Sequence, residues 1–304
     1  MGVQADGGRR LDFRVRPANA GARLVDALGD WLGEALGRPV PRARARALVS
    51  AGAVRVDGAV SRGPGRPLRV GQRVEAVVRP DLLTPRAERT DQPFHLTDRS
   101  VLFRDTVLLA VDKPPGLPTH ATADPARPSL VAHVERYLRA TGARPYVAVH
   151  QRLDRDTSGV VLFAIDPRAN EGLARAFEGR LVAKTYLALT ARPRALPDRR
   201  LRLSLPLPKP AETEIVVREV LARALLVEAR PLTGRRHQVR AHLAHAGMPV
   251  LGDPVYGEAG GRAPRPMLHA RRLALPHPLT GEPLVIESPL PADFAALLER
   301  LRSR

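Results

Sequence analysis

The decapeptide His150–Gly159, HQRLDRDTSG, sets one carboxylate, Asp154, between Arg152 and Arg155, in a polar cluster bounded by the apolar stretches Tyr146–Val149 and Val160–Ile165. Neighbouring guanidinium groups favour the ionised carboxylate, which suits Asp154 to act as a nucleophile or an electrostatic stabiliser rather than a proton donor. The same residues also fit a plain turn, with the aspartate, Thr157 and Ser158 making local hydrogen bonds to the backbone. A metal loop on Asp154 and Asp156 would lack further carboxylates nearby.

Three more residue groups could do chemistry. Tyr186 and Lys184 share one face of the alternating segment LVAKTYLALT, where an aromatic either packs in the core or faces a site. Arg240 sits in TGRRHQVRAHLAHAG, beside the apolar stripe Val239, Leu243 and Ala246, as an exposed or a functional arginine. His237, His242 and His245 suggest zinc, but residues 237 and 242 stand about 140° apart on a helix of about 3.6 residues per turn. They do not converge, and no metal is expected.

The elements that must position these residues are legible by period and punctuation. LLAVDKPPGLPTH reads as a buried strand followed by a turn, with a helix near Leu130–Leu138. Asp166-Pro167 opens another helix, with Leu173, Ala176 and Phe177 inward. EIVVREV and ALLVEARPL form an antiparallel pair, and a helix capped near Thr233 stops at Gly247. Strands and helices mix without a βαβ repeat, which predicts an α+β fold with a mixed, largely antiparallel central sheet and flanking helices.

Ahead of this lies a smaller α+β segment, residues 1–80 with a core about 20–80, followed by a linker at 81–99 and a large domain at 100–304. Leu24, Leu28, Trp31, Leu32 and Ala35 recur at helical spacing, and a second helix runs from Pro41 to Gly52 with Arg42 and Arg46 on one exposed face. AVRVDGAV is a hairpin turning at Asp57-Gly58. A further Gly/Pro-rich loop falls at 258–266.

Composition narrows the partners. A net charge of +18 over 304 residues favours a polyanion, and 4% aromatic content points to contact with phosphate more than to stacking on several aromatic platforms. Arg42, Arg46, Arg55, Lys113, Lys184, Arg235 and Arg236 are the candidate phosphate contacts. The chain has no cysteine, which excludes disulfides, thiolate metal sites and a thiol nucleophile. It has no apolar run of membrane length and no secretory signal, so a cytoplasmic, membrane-free monomer is expected.

The segment PRARARALVSAGAVRVDG resembles an S-four-like RNA-binding domain, through Arg42, Leu48, Val49, Gly52, Val54, Val56 and Gly58. RLDRDTSG, KTY, TGRRHQVRAHLAHAGMPVLGDPVYG and LHARRLALPHPLTGE, with LLAVDKPPGLPTH ahead of them, resemble the RluA-type pseudouridine synthases in order and rough spacing over about residues 100 to 292. That resemblance implies the pseudouridine synthase fold and an enzyme that isomerises uridine in RNA without a cofactor. Ribosomal RNA of the large subunit is the favoured target and transfer RNA the alternative. A domain that binds RNA but has lost catalysis is a competing class.

The resemblance also implies roles: Asp154 as the carboxylate that attacks the uridine, Tyr186 as the ring against the base and an aid to proton transfer, and Arg240 as the partner of Asp154. Gln151, Arg152, Leu153, Thr157, Ser158 and Gly159 are implied as loop support. One departure stands out. The family usually has histidine directly before the arginine of RLD, whereas here Gln151 holds that place and His150 lies one residue earlier, so the histidine's fixing role is expected to pass to Gln151.

Overall fold

Leu24, Leu28 and Leu32 fall on one stripe of a helix. In the computed structural model, which describes residues 9–37, 40, 42–50, 53–61, 63–78, 94–121, 128–142, 145–196, 198–205, 210–257 and 263–303, that stripe is the buried face of α1, Leu24–Leu36. The chain divides into two compact units, residues 1–92 with 254–256 and residues 93–253 with 257–304.

In the first unit α1 ends at Gly37, whose φ of 63° suits glycine, and α2 spans Arg42–Ser50. The ends expected for α2, Pro41 and Gly52, lie outside the described residues. The strands β1 (Arg9–Arg14), β2 (Val54–Val56), β3 (Ala59–Val60) and β4 (Arg73–Val78) form an antiparallel sheet in the order β1-β4-β2-β3. Between β2 and β3, Asp57 and Gly58 both take positive φ, 52° and 80°, as a two-residue hairpin turn demands. Ala45, Leu48 and Val49 of α2 join Leu28, Val54, Val56 and Val74 in one core. Arg42 and Arg46 stay exposed as expected, and Arg42 lies 2.6 Å from Asp26 of α1.

The second unit begins earlier than residue 100. Residues 81–93 of the expected linker lie outside the described residues, but Phe94 packs edge-on against His133 with ring centres 5.2 Å apart, and Leu96 packs on the same core. Two apolar residues so placed belong to a domain rather than to a linker. The unit comprises β5 (Val101–Arg104), β6 (Leu108–Lys113), α3 (Leu130–Ala140), β7 (Ser158–Ala164), α4 (Ala169–Glu178), β8 (Ala183–Ala191), β9 (Arg200–Leu205) and β10 (Ala211–Val220). It continues with β11 (Ala224–Pro231), α5 (Gln238–His245), β12 (Leu268–Pro276), β13 (Pro283–Glu287) and α6 (Ala292–Arg302).

The sheet runs β5-β6-β7-β12-β8-β11-β10-β9, with β13 also on β12. Every pairing is antiparallel except β7 with β12, which meet over two residue pairs, Ser158 with His269 and Gly159 with Ala270. The fold is thus the mixed, largely antiparallel α+β architecture expected. β7 is buried along its whole length because helices cover both faces: Val160, Leu162 and Ala164 pack with Leu173 of α4, while Val161 and Phe163 pack with Leu130, Val134 and Leu138 of α3. Among the described residues no helix is long and apolar enough to cross a membrane.

Two local expectations need correction. The helix after Asp166-Pro167 starts at Ala169, because the Asp166 carboxylate accepts the Arg168 N–H at 2.9 Å and closes a turn ahead of it. Phe177, expected inward, is half-buried instead; Ala169, Leu173 and Ala176 make the core stripe, and one residue beyond Ala176 turns about 100° away.

Candidate active site

The loop that carries Asp154 is fastened through its main chain, as a loop without regular structure must be if it is to hold a side chain in a fixed position. Thr119 Oγ1 donates to the Leu153 carbonyl at 2.9 Å and accepts the Leu153 N–H at 3.2 Å. The Arg155 carbonyl accepts from Lys113 Nζ and from the Gly116 N–H, each at 2.9 Å, and the Asp156 carbonyl accepts from Arg265 Nη1 at 3.2 Å. The Thr157 N–H returns to the Asp154 carbonyl at 3.1 Å, so the segment is also a turn, as its residue types allow. With the backbone held, the Asp154 side chain stands about a fifth exposed in a cleft of about 400 Å³.

Gly159 closes the loop onto the sheet. Its φ is 118°, and a Cβ there would lie 2.2 Å from the Ala270 carbonyl oxygen, so the approach of β7 to β12 requires glycine. Ser158 beside it bonds His269 Nδ1 at 3.0 Å. His269 Nε2 lies 3.3 Å from the Ser288 carbonyl, which only accepts, so that nitrogen carries the proton. Burial pulls the pKa of His269 down to about 4, consistent with a neutral ring.

Arg240 comes from α5 and reaches Asp154 Oδ2 with Nη1 at 2.8 Å. Its Nε and Nη2 form a bidentate pair with Asp253 at 2.6 and 2.7 Å, and the Asp253 side chain is fully buried. Burial works against the charge of Arg240; the hydrogen bonds and charge of Asp253, then Asp154, outweigh it and push its pKa up. His237 Nε2 stands 3.7 Å from Asp154 Oδ1. Burial, aided by Arg240 and Arg236 and opposed by Asp154 and Asp253, lowers the pKa of His237.

Thr233 does not cap α5. The helix starts at Gln238 behind His237, whose φ is 55°. Gln238 uses its whole amide to hold the approach: Nε2 donates to the Glu212 carbonyl and Thr213 Oγ1 at 2.8 and 3.0 Å, while Oε1 accepts from Thr233 Oγ1 and the Arg235 N–H at 2.7 and 2.9 Å. This ties the segment 233–238 to β10 and so fixes where Arg240 begins.

β8 supplies Tyr186 and Lys184 to the cleft wall on one face, as the alternation predicts. Tyr186 is set by its strand neighbours Ala229 and Ala270, whose small side chains leave room for the ring. Burial and the Asp154 charge both raise the pKa of the phenol, which therefore keeps its proton. Burial lowers the pKa of Lys184, whose Nζ lies 5.2 Å from the centre of the Phe177 ring.

Of the residues singled out by sequence, Asp154, Tyr186, Arg240, Gln151, Arg152, Leu153, Thr157, Lys184, Arg235 and Arg236 line this one cleft. Lys113 does not face RNA. It is wholly buried, and its ammonium donates to the carbonyls of Pro114, Leu117 and Arg155 at 2.8 to 2.9 Å, which makes it a fastener of the loop. Arg155 pairs with Asp156, so the counter-ion of Asp154 comes from α5 rather than from its sequence neighbours. Gln151 has its Nε2 buried without a hydrogen-bond partner among the described residues, whereas His150 is held by Asn170 at 3.2 Å. The fixed residue of the pair is thus the histidine. Arg55, in the first unit, is exposed and donates to the Gly58 carbonyl. Among the described residues no group of three or more His, Asp or Glu side chains could hold a metal.

Sequence reasoning misses Asp253, Gln238, Thr119 and Arg265. Asp253 lies in the quoted GDPVYG stretch, where an aspartate between glycine and proline reads as a turn residue, and only its partner reveals it.

Residues 107–245 match the family model for RNA pseudouridylate synthase. The chain is 36% identical over 224 residues to the ribosomal large subunit pseudouridine synthase D of Nitrosomonas europaea, covering 67% of this chain and 65% of that protein. It is 30% identical over 312 residues to the protein of the same name from Pasteurella multocida, covering 92% of this chain and 93% of that one. Among solved structures, human RNA pseudouridylate synthase domain containing 4 superposes with a TM-score of 0.57 at 26% identity, over 67% of this chain and 93% of that chain.

Proposed function

Since this chain belongs to the RNA pseudouridylate synthase family, we propose that it isomerises uridines of large-subunit ribosomal RNA to pseudouridine, with Asp154 as the nucleophile. The observation that carries this reading is the grip on Asp154: a carboxylate on a fastened loop, paired through one oxygen with a buried arginine and set in a cleft beside a protonated tyrosine. The ribosomal target is favoured by the names of the relatives from Nitrosomonas and Pasteurella.

In this scheme the target base is flipped out of its stack into the cleft, at a cost of a few kcal/mol that is smallest in loops. A carboxylate oxygen of Asp154 bonds to the ring or to the anomeric carbon, the N1–C1′ bond breaks, the base turns and rejoins C1′ through C5, and the bond to Asp154 breaks to return the free carboxylate. The proton on C5 leaves and N1 gains one, so the net change is an isomerisation. Arg240 steadies the carboxylate as charge shifts on and off it. Tyr186 packs its ring on the base. Its raised pKa makes it a holder of the proton, so a proton passing through it must be handed on at once.

The first unit, read as an S-four-like RNA-binding domain, would add phosphate contacts through exposed Arg42, Arg46 and Arg55. Arg42 is engaged with Asp26, which leaves more of that task to the other two.

Loss of the C5 hydrogen gives the test. Total RNA labelled with 5-tritiated uridine, from a strain lacking the gene, should release tritium to the purified protein, with the release confined to the large-subunit ribosomal fraction. Asp154→Asn should bind that RNA with near wild-type affinity and release none. Release by the Asn variant at a near-normal rate would end the nucleophile assignment, and release confined to the transfer RNA fraction would move the target.

A further inference from the structure

The cleft extends past the residues that the isomerisation uses. Its wall beyond Tyr186 holds Phe177, which besides Tyr186 is the one Phe, Tyr or Trp lining it among the described residues, and His150. The two rings are nearly parallel, with 17° between planes and centres 6.1 Å apart. Lys184 Nζ stands over the Phe177 ring at 5.2 Å and lies within 3.8 Å of where a Cβ on Gly234 would sit, so an ammonium is placed between the ring and the opposite loop.

This arrangement is held in place. His150 Nε2 lies 3.2 Å from Asn170 Oδ1, and Asn170 Nδ2 bonds the Tyr146 hydroxyl. Because the amide donates through Nδ2, its Oδ1 accepts from His150 Nε2–H. On the other side, α4 commits Ala169, Leu173 and Ala176 to the core and leaves Phe177 half-buried at the cleft, although a fully inward phenylalanine would gain more from burial. Asn170, Phe177 and His150 serve no step at Asp154.

A nucleotide turned out of its strand takes its stacking away from its neighbour as well, and a protein ring under that neighbour replaces the missing stack. We propose that His150, Phe177 and Lys184 form a second subsite, which holds the base adjacent to the flipped uridine, stacked on these rings with Lys184 beside its phosphate. The subsite rests on the reading of this cleft as that of a pseudouridine synthase. It makes the enzyme bind at least two consecutive nucleotides out of helical stacking, so its targets should be loop uridines with a neighbour free to splay.

Substitution of the ring separates stacking from packing. The full chain is assayed for tritium release from total RNA labelled with 5-tritiated uridine, with thermal melting as a check on folding. For a stacking platform, Phe177→Leu should raise KM by about tenfold with kcat within about twofold, while Phe177→Trp stays within about twofold in both. A ring that merely fills space would give the opposite order, because leucine fits the available volume and tryptophan overfills it. His150→Phe, which keeps a flat ring, should likewise hold KM near wild type where His150→Ala raises it. A Leu variant with wild-type KM, or a Trp variant as impaired as the Leu variant, overturns the subsite. Wild-type protein that releases no tritium overturns instead the reading on which the subsite rests, and the subsite with it.

Discussion

Arg240 gives Asp154 one nitrogen, Nη1 at 2.8 Å, where a guanidinium can grip a carboxylate with two. The bidentate grip goes to Asp253 instead, at 2.6 and 2.7 Å. Asp154 is thereby held through Oδ2, while Oδ1 faces His237 Nε2 at 3.7 Å, past hydrogen-bond range. A carboxylate gripped at both oxygens would be a poorer nucleophile; one gripped at a single oxygen keeps the other available.

Asp253 should therefore matter in a different way from Asp154. Removing one member of a buried ion pair strands its partner, so Asp253→Ala should lower stability by about 3 to 5 kcal/mol in urea unfolding. Asp154→Ala, at the half-open end of the same array, should cost less than about 1 kcal/mol while abolishing turnover. Equal stability losses for the two variants would contradict the assignment of Asp253 as anchor.

Gly159 and Gly142 provide a matched pair. Both have positive φ, but a Cβ at 159 would strike the Ala270 carbonyl at 2.2 Å whereas a Cβ at 142 would meet nothing within 4 Å. Gly142→Ala should cost about 1 to 2 kcal/mol for backbone strain alone. Gly159→Ala should cost more than about 3 kcal/mol, because the parallel register of β7 with β12 has to open. Thermal melting of the two variants side by side gives the comparison.

Lys113 gives stability a pH dependence. Burial pulls its pKa down to about 7, against about 10.5 for an unfolded lysine, while three carbonyls occupy the three N–H bonds that the ammonium offers. Between those values the unfolded chain holds a proton that the folded chain has released. By linkage, this residue's contribution to stability rises with pH across about 7 to 10.5 and is flat below. Lys113→Met, similar in length and without a charge, should remove that slope, which melting temperatures of the two proteins from pH 6 to 10 will reveal. A difference between them that does not change with pH would refute it.

The first unit should show itself in salt. If Arg42, Arg46 and Arg55 meet phosphates, deleting residues 1–80 weakens RNA binding and flattens the dependence of log K on log salt by roughly 0.7 to 0.9 for each phosphate no longer neutralised. A truncated protein with the full slope would mean that these arginines are only a solvated face.

Much of the fold and several of the candidate residues are readable in the sequence because their signals are local. The period of two places Lys184 and Tyr186 on one wall, and the Asp57-Gly58 turn places a hairpin. What escapes depends on partners distant in sequence. Asp253 reads as a turn residue until Arg240 is seen beside it, and Gln238 looks like an ordinary helix residue until its amide is found on β10. Lys113 misleads because lysine is usually exposed, and here three carbonyls meet its charge in the interior. Phe177 misleads because a helical stripe about 100° wide has an edge, and one residue decides whether a ring faces the core or the cleft.

Arg265 grips Asp293 in α6 and reaches back to the Asp156 carbonyl, 109 residues earlier. During synthesis, then, the loop around Asp154 emerges well before the residues that finish it. At about 5 to 20 residues per second, the 139 positions from Asp154 to Asp293 take roughly 7 to 30 s to be made. Arg240 and Asp253 are made within that interval, 86 and 99 positions after Asp154, and Asp293, which anchors Arg265, is made at its end. The loop that presents Asp154 is therefore tethered by a segment that is complete only once α6 has been made.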